Sequence, residues 1–455
     1  ICYSCFYLTG DNINDVIYKR LLGSMKISNL KSQISNLLKH PFFTGSAVMI
    51  IGSNLANFFA YIYHLVIGRM LGPSGYGELA SILSLIGLFS ITFGFLGLVI
   101  VKFSSGMKEE EIPSFYSWVS RRSLIAALSF ALVVFFASGP LSSFLNVSLA
   151  SIILSAPLFF VLFLGFIYTS FLQGTLRFGR VVISSNIGLL GRLIFGVLFV
   201  YLGLYVFGAL LGVLLSSLLS LGISVYFLRD YWTSGKSRFV FKKSKEVFSY
   251  AIPIFIMSVA TTSLYMSDVI LVKHFFSSHL AGIYASLSTM GRIIFYGTSP
   301  IAAVMFPLVS KSYAKGGNYK KVFFLSVFLT TLLISSLVVL YWLFPNLVLQ
   351  SLYGNKFLEG TPYLVWFGVF IGLFTLSSLF LNYFLSKGTT KVVYIGLAAA
   401  AAQIIGIFLF HKDILQVVTV SIWVCLILLI SLLIYFCYET RLGSHSSLQS
   451  GKNNR

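Results

Sequence analysis

Three charged side chains stand well inside apolar runs long enough to cross a bilayer, where a charge costs at least about 2.5–3.5 kcal/mol unless it is used or compensated. Arg292 lies in Thr289-Met290-Gly291-Arg292 and Arg192 in Gly188-Leu189-Leu190-Gly191-Arg192. A guanidinium offers forked, permanently charged donors suited to phosphate. The competing reading of Arg292 is an interhelical partner, either Asp268 or a backbone carbonyl. For Arg192 the small neighbours favour close helix packing. Asp268 is the only carboxylate well inside a span. It reads either as a Na⁺ or H⁺ coupling group or, close to the external surface, as a group that caps or pairs structurally. Two polar stripes accompany these charges. Asn54, Asn57, Tyr61 and His64 are spaced 3, 4 and 3, and Ser258, Thr261, Tyr265 and Asp268 repeat that spacing 204 residues later. Each set occupies one helix face. Such stripes either hydrogen-bond a polar cargo, with Tyr61 and Tyr265 as stacking platforms, or join helices to one another.

The elements that carry these residues follow from composition. Of 455 residues, 57% are hydrophobic and 10% charged, and mean hydropathy is +0.92. A soluble domain carries about a quarter charged residues. Apolar runs of about 20 residues, enough for a core of about 30 Å, recur near 45–68, 79–101, 120–139, 149–173, 181–203, 206–228, 248–272, 281–305, 322–344, 362–385, 391–410 and 414–437. Each helix satisfies its own backbone, and the alternation of a membrane barrel is absent. The expected fold is all-α and polytopic, with about twelve transmembrane helices in two six-helix bundles around a central cleft.

The net charge of +20 would suggest nucleic acid in a soluble protein; here its placement says otherwise. Twenty-six of the 32 Lys and Arg fall in the two tails and alternate loops. The opposite loops hold only Arg69, Lys273, Lys356 and Lys412. By the positive-inside rule both termini are cytoplasmic and nucleic acid is no partner. The longest basic loop divides the chain: tail 1–44, bundle 45–228, linker 229–247, bundle 248–437 and tail 438–455. Met25 opens a plausible start, so residues 1–24 are expected to lie outside the native protein. Residues 25–43 form a basic segment suited to anionic membrane lipid. A parallel repeat is visible: Gly77-Glu78-Leu79-Ala80-Ser81 opens the second span and Gly282-Ile283-Tyr284-Ala285-Ser286 the eighth. Cys2 and Cys5 form a lone CxxC without a second pair, so no metal site is expected.

Leu71-Gly72-Pro73-Ser74-Gly75-Tyr76-Gly77 resembles the LGPxGYG turn of the polysaccharide transporter family. That family contains O-antigen and other lipid-linked oligosaccharide flippases and belongs to the MOP superfamily with MATE exporters. Ile252-Pro253, Phe306-Pro307-Leu308-Val309-Ser310 and Leu352-Tyr353-Gly354-Asn355-Lys356-Phe357 resemble further family motifs, in order, between residues 45 and 437. The first 44 residues match nothing in the family, and Ser277-Ser278-His279 replaces the Gly-Pro turn in the second half.

The resemblance implies a non-enzymatic transporter in the cytoplasmic membrane of a prokaryote, moving a lipid-linked glycan by alternating access. Glycosyltransferases and a polysaccharide polymerase would be neighbours in such a pathway. Similar lipid-precursor flippases carry cavity arginines in the eighth helix, which favours Arg292. Gly235-Lys236-Ser237 mimics the end of a P-loop, but Asp230 stands where its first Gly should be. No cofactor is expected beyond a coupling ion. The rival reading, a MATE-like exporter of cationic molecules, would call for cavity carboxylates, and the chain offers Asp268 against two arginines.

Overall fold

The computed structural model describes residues 41–231, 244–314, 317 and 319–450. Residues 1–40 of the expected tail 1–44, with Cys2 and Cys5, and most of the basic linker lie outside them. Regular structure among the described residues is entirely helical. The α-helices are α1 (Pro41–Phe89), α2 (Ile91–Gly106), α3 (Ile112–Phe136), α4 (Ser138–Leu145), α5 (Leu149–Gly174), α6 (Phe178–Phe199) and α7 (Tyr205–Phe227). They continue with α8 (Ser244–Phe275), α9 (Ser278–Ala314), α10 (Tyr319–Leu343), α11 (Pro345–Tyr353), α12 (Leu364–Ser386), α13 (Val392–Leu409) and α14 (Ile414–Ser450). A π-helical turn, Val200–Leu204, joins α6 to α7, and a 3-10 segment, Asn355–Tyr363, precedes α12.

Nine helical stretches among the described residues are long and apolar enough to cross a membrane. One of them, Phe178–Phe227, holds two expected spans, because only the π turn separates α6 from α7. The sequence of the first two expected spans lies in α1 and α2. The chain is therefore a polytopic membrane protein.

Local chemistry sets the breaks. Helix α1 is interrupted at Gly72, whose φ of 68° and ψ of 179° suit glycine alone. Pro73 follows and opens the second limb, where its missing N–H costs no helical bond. At α5 the Ser148 hydroxyl caps the helix by accepting from Ser151 N at 3.3 Å. In the second half a serine does the work of the Gly-Pro turn: Ser277 Oγ accepts from Leu280 N at the start of α9.

The described fold has two compact units. The first comprises residues up to Met70, Thr92–Ser143 and Val147–Ala251; the second comprises Leu71–Ile91, Phe144–Asn146 and Ile252 onward. The later division falls at Ala251–Ile252, and the limb of α1 after Gly72 packs with the later helices. The reason is local, as the next subsection shows.

In the first unit α6 and α7 form the tightest hairpin. A Cβ on Gly212 would stand 2.5 Å from Gly196 N, so only glycine allows the two backbones this close. Ser184 bonds both Ser220 (3.1 Å) and Ser224 (2.6 Å) across the same seam.

Candidate functional site

Helices α8 and α9 are antiparallel about a turn at 276–277, so residues at about the same distance from that turn meet. Asp268 and Tyr284 are such a pair. Both are fully buried, and the Tyr284 hydroxyl donates to Asp268 Oδ2 at 2.8 Å. The other carboxylate oxygen, Oδ1, is buried without a hydrogen-bond partner. Asp268 is thus buried and paired with a side chain, the structural pairing considered for it, with one oxygen left over.

Arg292 lies two turns further along α9 and is half-buried. Its Nη2 donates to the backbone carbonyl of Tyr265 at 2.8 Å, and the guanidinium stands 5.4 Å from the Tyr265 ring centroid. Its Nε is buried without a hydrogen-bond partner. Among the described residues no ion pair joins Arg292 to Asp268. Of the two structural partners considered for Arg292, the carbonyl is the one it touches. A carbonyl is neutral, so the positive charge persists. Tyr265 is held by Phe295 (5.6 Å) and Phe374 (5.4 Å), an aromatic wall that fixes the carbonyl and ring on which Arg292 rests. Along the α8 stripe Ser258, Thr261 and Tyr265 are half-buried, and Thr261 Oγ1 bonds back to Met257 O at 2.8 Å.

In the first unit, Arg192 lies over the face of Tyr63, 4.0 Å from the ring centroid, with its Nε buried and without a hydrogen-bond partner. Cation–π attraction compensates part of the cost of that charge. On the α1 stripe Asn54 and Asn57 are exposed, and Tyr61 and His64 are half-buried.

A second cluster of the later unit was not foreseen. It lies at the end of the hairpin that the Lys and Arg distribution assigns to the external side. Gly77 and Gly282, the first residues of the two repeated motifs, press against each other. A Cβ on Gly77 would meet Gly282 N at 2.6 Å and Ser278 O at 2.7 Å. A Cβ on Gly282 would overlap the Pro73 carbonyl. Behind them the buried Tyr76 hydroxyl bonds Thr289 Oγ1 (2.9 Å) and Tyr353 OH (3.1 Å), and its ring packs on Phe357. The LGPxGYG turn and the Leu352–Phe357 loop therefore meet in one place. Lys273, expected in an external loop, is fully buried; its ammonium donates to Asn146 O (2.8 Å) and Ser278 Oγ (2.9 Å). His274 stacks on Phe144 at 4.1 Å, and its Nδ1 bonds the Phe144 carbonyl at 2.6 Å. These contacts are why residues 71–91 and 144–146 belong to the later unit.

A family profile described as "Polysaccharide biosynthesis protein" matches residues 42–313. The chain belongs to the polysaccharide biosynthesis protein family. No curated protein matches it. Among solved structures, an inward-facing multidrug resistance MATE family transporter of the MOP superfamily superposes with a TM-score of 0.70 at 16% identity, covering 88% of this chain and 99% of that one. The lipid II flippase MurJ in an inward closed conformation gives 0.68 at 17% identity, covering 85% and 87%. An outward-facing MATE transporter gives 0.58 at 17% identity, covering 88% and 95%. The fold of this polysaccharide biosynthesis family member is that of MOP transporters.

Family membership places the motifs in context. Those that carried the resemblance lie largely in the cluster around Gly77, Tyr76 and Tyr353. The charged groups singled out for cargo or ion coupling lie elsewhere, on α6, α8 and α9. Sequence reasoning missed Tyr284, which sits inside the Gly-Ile-Tyr-Ala-Ser motif; its spacing about the α8–α9 turn could have paired it with Asp268.

Proposed function

We propose that this protein flips lipid-linked oligosaccharide precursors across the cytoplasmic membrane by alternating access, with both termini in the cytoplasm. The observation that carries the reading is Arg292: a half-buried guanidinium inside a span, resting on a carbonyl and a ring instead of a carboxylate. Its charge and buried Nε suit a phosphate or pyrophosphate head group. In the first unit Arg192 is a second intramembrane cation, resting on Tyr63. The α8 stripe (Ser258, Thr261, Tyr265) and the α1 stripe (Asn54, Asn57, Tyr61, His64) supply hydroxyl, amide and imidazole groups for glycan. Chemistry on the cargo is not required: transport needs binding and release, so no catalytic residue is assigned. The packed cluster at Gly77 and Gly282 then acts as the closed outer seam, which must part for release. Polysaccharide polymerase and glycosyltransferases are the expected partners.

The buried Asp268, with one oxygen unpartnered, favours ion coupling. A Na⁺ or H⁺ taken up there would compensate the carboxylate. The same group supports a second reading, a MATE-like ion-coupled exporter of small molecules.

The test is complementation of a cell lacking its own polysaccharide flippase, following lipid-linked oligosaccharide on each leaflet. Restored export that Arg292→Glu abolishes and Arg292→Lys retains in part is the expected result. Normal export by both Arg292→Ala and Arg292→Glu at normal expression would refute the phosphate assignment. Efflux of cationic dyes without glycan export would favour the exporter.

A further inference from the structure

Outside the stripes and the seam, the first unit carries a groove of about 540 Å³ between α6 and α7. Ile183 and Ile187 form one wall and Leu218, Leu219, Ile223 and Tyr226 the other, with Gly222 among them. The α7 residues from Leu218 to Phe227 span about 14 Å at 1.5 Å per residue. The groove is thus open to its surroundings, apolar and about as long as much of a straight acyl chain. The groove is open at Gly222, where a Cβ would meet nothing within 4 Å.

One end is strongly basic. Arg229 stands over the Tyr226 ring at 4.5 Å and Arg180 over the Phe227 ring at 5.4 Å, and both rings line the groove. Arg177 and Arg180 both donate to Phe227 O at 2.9 Å. Asp230 answers part of this charge, 3.5 Å from Arg177 and 4.0 Å from Arg229. Three arginines against one aspartate leave the mouth cationic, and among the described residues no carboxylate lies in ion-pair distance of Arg180. A guanidinium at the cytoplasmic surface attracts anionic lipid.

We propose that this groove is a site for an anionic membrane phospholipid, one acyl chain lying between α6 and α7 and the phosphate held by Arg180 and Arg229. The occupant is a bilayer lipid and not the transported carrier, because a groove of this length suits a straight chain and holds only part of a long branched isoprenoid. The site is independent of the flippase reading: it requires only that this face meets the cytoplasmic leaflet.

The experiment is native mass spectrometry of the full chain, released from micelles containing equal phosphatidylglycerol and phosphatidylcholine. The expected result is retention of one phosphatidylglycerol with a preference of about tenfold. Gly222→Phe fills the groove and removes retention of both lipids. Arg180→Lys with Arg229→Lys keeps the preference; Arg180→Gln with Arg229→Gln abolishes it while phosphatidylcholine binding persists. Equal retention of the two lipids by the wild type, or a preference untouched by Gly222→Phe in a variant of unchanged thermal stability, would overturn the proposal. So would displacement of phosphatidylglycerol by equimolar undecaprenyl phosphate, which would make the carrier the occupant.

Discussion

Gly77→Ala is the sharpest test of the outer seam. The added Cβ would lie 2.6 Å from Gly282 N and 2.7 Å from Ser278 O, where ordinary contact begins at 3.4 Å. The facing atoms are helix backbone and cannot rotate away. The second limb of α1 must therefore retreat from α9 by about 0.8 Å, the difference between 2.6 Å and 3.4 Å. Overpacking of this kind costs about 1–3 kcal/mol. If the seam is the closed state of a two-state transporter, that cost shifts the closed-to-open ratio by roughly 5- to 150-fold. The reporter is Ser286→Cys, placed after the four native cysteines are replaced. Ser286 is fully buried and one turn beyond Gly282, on the same face. A membrane-impermeant maleimide applied outside should label it faster in Gly77→Ala by that factor. Gly282→Ala should do the same or more, because its Cβ would overlap the Pro73 carbonyl. Unchanged labelling in a well-expressed, monodisperse variant would refute the view that this packing closes an outer gate.

Other outcomes follow from the same contacts. Lys273→Met removes two charge-assisted bonds, to Asn146 O and Ser278 Oγ; each is worth about 1.5–3 kcal/mol, so Ser286→Cys labelling should rise there too, and no rise would deny Lys273 a part in the seam. Asp268→Asn keeps an acceptor for the Tyr284 hydroxyl, so folding should survive while dependence on a Na⁺ or pH gradient is lost; a retained dependence would remove Asp268 from coupling. Lys387, whose side chain is 4% exposed, pairs with Glu439 at 2.7 Å and stands 5.1–5.3 Å from the rings of Tyr313, Tyr319 and Tyr383. Lys387→Met should destabilise the protein by about 1–3 kcal/mol, Glu439 being partly exposed, read as a lower melting temperature; no change, alone or combined with Glu439→Gln, would make the pair superficial.

Apolar length made most of the helices legible, because a span must satisfy its backbone internally and its boundaries follow from where polarity returns. The break at Gly72 was legible for a related reason: a Gly-Pro pair cannot continue a helix unchanged. What escaped the sequence were elements too short to show a period. Helices α4 and α11 have 8 and 9 residues, and the 3-10 turn at Asn355–Tyr363 reads as a polar loop. Lys273 was counted as a loop cation because its sequence neighbourhood does not announce its burial; one of its two partners, Asn146, lies 127 residues away.

The contrast between two kinds of signal has a physical origin. Arg292, Arg192 and Asp268 were found as anomalies, since a charge in hydrocarbon is conspicuous whatever surrounds it. Their partners, however, were not determined by that anomaly. Arg292 was expected on either Asp268 or a carbonyl, and the choice depends on the relative heights of residues on two antiparallel helices. Tyr284 sits level with Asp268 and takes its Oδ2, while Arg292, two turns further along, meets the Tyr265 carbonyl instead. Glycine works the other way. Gly77 and Gly282 look unremarkable singly, yet each marks a place where a second backbone arrives. The repeat made them visible as a pair, and a parallel repeat brings equivalent helix starts to the same side of the membrane. Matched small residues at such starts are therefore evidence for a contact between them, because only there can two helix backbones of the same height approach without a side chain in the way.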